Sequence, residues 1–265
     1  MELRRLLRGT IEWERLEAVG LALAERADSD GVRIRFLNTD NWLSTPCVID
    51  DRWFVKIVST QNALVHALFT TGRNLGAFSS GTEGFFERFD GPVEMAQHEL
   101  EATRKIRDLG INAPEPIEVF EVEDLGVLVF EYLPDYRALD ETTTEEVLRF
   151  APELFDALST MHDARLAHGD LRAENVLISH GNLYFIDATS VDEQAISDAR
   201  SYDLACALAV LTPLIGCRAA VAAALEHYDR LDLLAAREFL DFVSLRPDHD
   251  FDAALVKGEI EKRAS

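Results

Sequence analysis

Lysine is nearly missing from this chain: Lys56, Lys105, Lys257 and Lys262 are the only four among 26 basic side chains, which face 48 acidic ones. The resulting formal charge of −22 repels nucleic-acid phosphates and acidic membrane surfaces, and argues against direct nucleic-acid binding. An acid-rich chain that keeps arginine but not lysine fits a high-salt cytoplasm such as that of a halophilic archaeon, where screening removes most of the self-repulsion. The charge is therefore read as habitat rather than function. Cysteine is scarce too. Cys47, Cys206 and Cys217 are odd in number and make no Cys-x-x-Cys pair, which argues against a disulfide framework or a zinc site and for a reducing compartment. No apolar run is long enough to span a bilayer: the longest, Leu204 to Gly216, is short and contains Pro213. The first residues, Met1 to Arg5, lead into no apolar stretch of signal-peptide length, so the expected location is cytoplasmic, with no membrane partner.

What is present is enough for a full core. Of 265 residues 48% are apolar, sufficient for one large domain or two closely packed lobes. Ile11, Leu16, Val19 and Leu23 recur at helical spacing and predict an accessory helix within residues 1–30. From Gly31 the period becomes two, with Val32, Ile34 and Phe36 alternating with Arg33 and Arg35, as in a half-exposed strand. Cys47 to Ile49 and Trp53 to Val58 flank Asp50-Asp51 as a hairpin, and the second arm carries Lys56 among apolar neighbours. Such a lysine either snorkels from an edge strand or contacts phosphate. The mixed stretch from Ser59 to Gly91 reads as a short helix and a long loop.

Pro92 opens a helix that runs to Leu109 and stops at Gly110. Its stripe of Ala96, Leu100, Thr103 and Ile106 includes Glu99, either solvated at the stripe's edge or paired, with Lys56 the obvious partner. Two further strands, Ile117 to Val122 and Val127 to Leu133, flank a turn read as Glu123 to Gly126. Composition then turns helical, which places a boundary near Leu133 to Ala138; residues 142–163 read as a long helix capped by threonines.

Next comes His168-Gly169-Asp170-Leu171-Arg172-Ala173-Glu174-Asn175, then a strand-like run from Val176 to Ser179, a His180-Gly181-Asn182 turn and a second run ending at Asp187. Turns favour Asp and Asn, so any one of these residues is unremarked alone. Together they supply what phosphoryl transfer from a magnesium nucleotide requires: a carboxylate to receive a hydroxyl proton, and an amide oxygen and second carboxylate to hold the metal. His-x-Asp-Leu-x-x-x-Asn with a later strand-end Asp has the spacing of a kinase catalytic loop. Further helices follow to the end, one starting at Tyr202-Asp203-Leu204-Ala205.

From Val32 to Leu208 these features resemble the protein-kinase-like superfamily, and within it the atypical RIO family of serine/threonine kinases. The resemblance rests on Lys56, the insert before the Glu99 helix, the exit Leu109 to Ile117 with its Pro114-Glu115-Pro116, the strand Leu128 to Tyr132, the loop His168 to Asn175, and Leu183 to Val191. It implies an α+β, two-lobed fold: an N-lobe at 31–133, with an antiparallel sheet and one main helix, and a mostly helical C-lobe at 134–265. It also implies ATP and Mg as cofactors. Asp170 would be the catalytic acceptor, Asn175 and Asp187 the magnesium ligands, Lys56 the phosphate-contacting lysine and Glu99 its ion-pair partner. Adenine would lie along Glu131 to Leu133. His168 would brace the loop as a buried structural histidine, and Asp203 would be a helix N-cap anchoring the loop's backbone.

The chain departs from the wider kinase pattern in two places. The segment Asn38 to Pro46, where the nucleotide loop should be, has no glycine, leaving Asn41, Ser44 or Thr45 for residual phosphate contacts. Gly169 stands where regulated kinases carry arginine, and no Ala-Pro-Glu follows Asp187 before Asp203. Three functions stay open: a RIO-type kinase or ATPase acting on itself or a protein, a small-molecule kinase of the aminoglycoside or choline phosphotransferase type, and a non-catalytic nucleotide-sensing scaffold. The Pro114-Glu115-Pro116 exit and the Asp187-Ala188-Thr189-Ser190 segment favour the first. The phosphoacceptor, protein or small molecule, is not read from the sequence.

Overall fold

The computed structural model describes residues 11–37, 44–63, 89, 91–188, 196–246 and 248–264. The expected contacts of Asn41, most of the segment from Ser59 to Gly91, and Thr189 to Val191 lie outside those residues. The described chain divides into two compact units, one drawn from residues 11–63, 89–104 and 114–134, the other from 105–113 and 135–264.

The first unit is an antiparallel sheet with a helix on each face. Its strands are β1 (Ile34–Phe36), β2 (Thr45–Ile49), β3 (Trp53–Val58), β4 (Pro116–Val122) and β5 (Leu125–Glu131), in the order β1-β2-β3-β5-β4. Helix α1 (Trp13–Arg26) sets Val19 and Leu23 against Val55, Ile57, Leu125, Val127 and Val129. Helix α2 (Pro92–Asp108) sets Ala96 and Leu100 against Leu128 and Phe130. Side chains alternate across a strand, so β5 buries Leu125, Val127 and Val129 against α1 and Leu128 and Phe130 against α2, and reads as an apolar run up to Glu131. The same alternation puts the even residues of β3, Phe54 and Lys56, on the α2 side.

The turns follow their residues. Asp50 and Asp51 adopt φ of 51° and 53° in the β2–β3 hairpin, a conformation that aspartate tolerates better than most side chains. The β4–β5 turn is tighter than the sequence suggested, because Val122 already pairs with Leu125 and only Glu123-Asp124 remain between them. Gly126 is therefore a strand residue. A Cβ there would lie 2.5 Å from the Pro92 carbonyl oxygen, so close backbone approach, not turn geometry, requires the glycine.

The second unit is mostly helical: α3 (Thr144–Asp163), α4 (Ile196–Ile215), α5 (Cys217–Ala224), α6 (Arg230–Arg237), α7 (Leu240–Ser244) and α8 (Ala253–Ala264). Thr143 and Glu146 form a capping box at the start of α3, as its threonine and glutamate run indicated. Pro152 sits inside α3, which continues past it with Val147, Phe150, Leu154, Leu158 and Met161 buried. A small sheet of β6 (Arg137–Ala138), β7 (Val176–Ser179) and β8 (Asn182–Phe185) completes the unit. The turn between β7 and β8 places both His180 and Gly181 at positive φ, as a two-residue hairpin requires. Among the described residues no helix is long and apolar enough to cross a membrane.

Candidate active site

In the first unit, strand periodicity and helix periodicity bring two charges together. Lys56 Nζ lies 2.5 Å from Glu99 Oε1, with 5% and 16% of the side chains exposed. Desolvating both charges is costly and an apolar pair would serve the core as well, so the pair is poorly explained by stability alone. Ser44 is buried at the entry to β2. Glu131 ends β5 with its side chain exposed; its N–H donates to Glu115 O at 2.9 Å, and Leu133 is buried just beyond.

In the second unit, the loop from Ala167 to Asn175 is fixed by its own polar groups and by α4. Gly169 has φ of +79°, a conformation that costs most side chains strain. Asp203 accepts from the N–H groups of His168 at 2.6 Å and Gly169 at 2.9 Å. Its Oδ2 also lies 3.3 Å from His162 Nε2, and His162 Nδ1 is 2.7 Å from the Tyr228 hydroxyl. Asp203 therefore anchors the loop, but not as an N-cap. The helix starts at Ile196, a turn or more earlier, and Asp203 reaches the loop from the interior of α4. His168 is fully buried, and burial holds its imidazole neutral against the pull of Asp203 and Asp170.

Asn175 Nδ2 donates to the Asp170 carbonyl at 2.8 Å, which orients the amide and leaves its Oδ1 as the oxygen available to a cation. The Asn175 carbonyl in turn accepts from Ile186 N at 3.0 Å, tying the loop to the residue before Asp187. Asp187 is half-buried with φ of +60°. An amide oxygen and a carboxylate are hard donors of the kind magnesium takes, so these residues fit the metal that the loop implies.

The Asp170 carboxylate lies between two arginines. Arg246 Nη2 donates to Asp170 Oδ1 at 2.9 Å, and Arg172 Nε lies 3.2 Å from Oδ2. Burial opposes the Arg246 charge, but Tyr202, Asp170 and Asp248 outweigh it and hold the guanidinium firmly protonated. Arg172 lay in plain view two residues after Asp170. Arg246 and Asp248 come from the turn after α7, and no local pattern connects that turn to the loop. The thiols of Cys47 and Cys206, pushed up to about 12 by burial, offer no nucleophile.

His249, in the same turn, is 7% exposed, and burial followed by Arg246 lowers its pKa from 6.5 to about 4. The unfolded chain thus takes up this proton at a higher pH than the folded one. The native advantage is complete above about pH 6.5 and is lost as pH falls toward 4, by on the order of 3 kcal/mol. The urea midpoint should fall between pH 6.5 and 4.5, less steeply in His249→Gln; equal slopes in the two proteins would contradict this.

The chain has a two-lobed, kinase-like α+β fold. It shares its fold with an aminoglycoside-3'-phosphotransferase of type VIII, at a TM-score of 0.53 and 18% identity over 87% of this chain and 99% of that one. It shares it also with a putative fructosamine-3-kinase from Haemophilus somnus 129PT, at a TM-score of 0.51 and 12% identity over 93% and 97%. Residues 91–202 match the family model of the RIO domain. Over 115 residues the chain is 30% identical to the KEOPS complex subunit Bud32 of Pyrococcus abyssi (strain GE5 / Orsay), covering 42% of this chain and 51% of that protein. The matched segment is therefore about half the length of that relative. The RIO resemblance seen in the sequence is met by the family match over residues 91–202, the stretch in which Glu99, Asp170, Asn175 and Asp187 lie.

Proposed function

We propose that this chain is a magnesium- and ATP-dependent phosphotransferase or ATPase of RIO type, acting on itself or on a protein serine or threonine. The observation that carries the proposal is the buried Lys56–Glu99 pair, a costly arrangement that makes sense if Lys56 meets phosphate oxygens. Adenine is assigned to the strand end at Glu131 to Leu133, and Ser44 to a residual phosphate contact. Asn175 and Asp187 would hold magnesium, which when bound neutralises charge on the phosphates. Asp170 takes the proton of the acceptor hydroxyl as its oxygen bonds to the γ-phosphorus. The bond from that phosphorus to the β-phosphate oxygen breaks, and ADP leaves with the electron pair. In the ATPase form water replaces the hydroxyl.

A protein is the favoured acceptor or partner, because the aligned relative is named as the subunit of a complex. We place the chain in a high-salt cytoplasm on account of its acidic charge. Binding is tested by thermal shift in concentrated potassium chloride. MgATP should raise the melting temperature of the wild type, and chelation of magnesium or Asp187→Asn should remove most of that rise. A rise of equal size without metal, or none at all, would count against the proposal.

A further inference from the structure

Resting on the phosphotransferase proposal, we infer that Arg246 is a positioning residue that fixes the carboxylate of Asp170 from a segment remote in sequence. Arg246 follows α7, its N–H bonded to Val243 O at 3.0 Å, and stands 76 residues beyond Asp170. Its side chain is only 10% exposed, and all three of its nitrogens are used. Nη2 donates to Asp170 Oδ1 at 2.9 Å. Nε donates to Asp248 Oδ1 at 3.1 Å while Nη2 also meets Asp248 Oδ2, a two-point grip that sets the plane of the guanidinium. Nη1 donates to the Tyr202 hydroxyl.

The anchors explain what this arrangement does. Tyr202 and Asp203 are adjacent on α4, and both are fully buried. Asp203 holds the loop's backbone at His168 and Gly169, while Tyr202 holds Arg246, which holds the Asp170 side chain. One helix thereby fixes both the backbone and the side chain of the loop. A guanidinium gripped by Asp248 and Tyr202 keeps its place whatever Asp170 does, which is how a supporting residue confers a fixed geometry on the group it serves. A lysine could reach one of these partners but not all three.

The test is steady-state turnover of γ-labelled ATP by purified full-length variants, with melting temperature measured beside it. Arg246→Met should lower kcat on the order of 10²-fold with the KM for MgATP within about 2-fold, since a displaced base slows the chemical step and leaves nucleotide binding alone. Arg246→Lys should recover about tenfold of that loss by keeping one charged contact. Tyr202→Phe, which removes a single anchoring hydroxyl, should lower kcat by about 5-fold and keeps the test open should Arg246→Met not fold. Leu245→Ser, at an 81% exposed neighbour, should leave turnover unchanged. A folded Arg246→Met enzyme with kcat within about 3-fold of wild type would overturn the inference, as would an unchanged Tyr202→Phe. Turnover that needs Asp170 but not Arg246 removes this inference alone; a wild type without turnover removes the phosphotransferase proposal and this inference with it.

Discussion

Asp170→Asn is expected to lose between about 10² and 10⁴ of the turnover while still binding MgATP, the range expected when a positioned general base is removed. The substitution keeps the shape and deletes the charge. Asp170 is only 4% exposed, with Arg246 on one oxygen and Arg172 near the other. Arg246 retains Asp248 and Tyr202, and Arg172 retains Glu174, so neither arginine is stranded in the variant. The fold should therefore survive. Turnover of labelled ATP and the MgATP-induced rise in melting temperature, measured on one preparation, separate chemistry from binding. A variant that keeps more than about a tenth of wild-type turnover would show that Asp170 is not the proton acceptor.

Asp203→Ala should have the largest effect on stability. The carboxylate is fully buried and serves three groups: the N–H of His168, the N–H of Gly169, and His162 Nε2. Alanine leaves two buried backbone donors without an acceptor, each costing roughly 1–3 kcal/mol, for a total of about 4 kcal/mol. At about 2–4 °C per kcal/mol for a chain of this size, the melting temperature should fall by on the order of 10 °C. Asp203→Asn keeps one acceptor oxygen and should lose about half as much. A loss under about 1 kcal/mol for the alanine variant would mean that the loop finds other acceptors.

Asp203 also marks where reading from sequence stops. A strand of period two and a helix of 3.6 residues per turn were enough to place Lys56 and Glu99 face to face, because each position is fixed by its own element. The hairpins at Asp50-Asp51 and His180-Gly181 were legible because positive φ is written in those residue types. Asp203 was read as a cap because an apolar run begins at Leu204, yet the polar residues from Ile196 onward belong to the same helix. Its role came from the loop packed against it, not from its neighbours in sequence. Gly126 was misread for a related reason: Glu-Asp-Leu-Gly looks like a turn, and only the Pro92 carbonyl overhead shows why a strand needs the glycine. Arg246 could not be found at all, since ordinary turn residues surround it and its partner lies 76 positions away.

The most direct measurement follows γ-labelled ATP with magnesium in concentrated potassium chloride, with Asp187→Asn as the control. Label should enter the protein or appear as free phosphate, and should be lost in the variant. A folded wild-type protein that turns over no ATP, or a variant that turns it over as fast, would contradict the assignment of Lys56, Asp170, Asn175 and Asp187 to phosphoryl transfer.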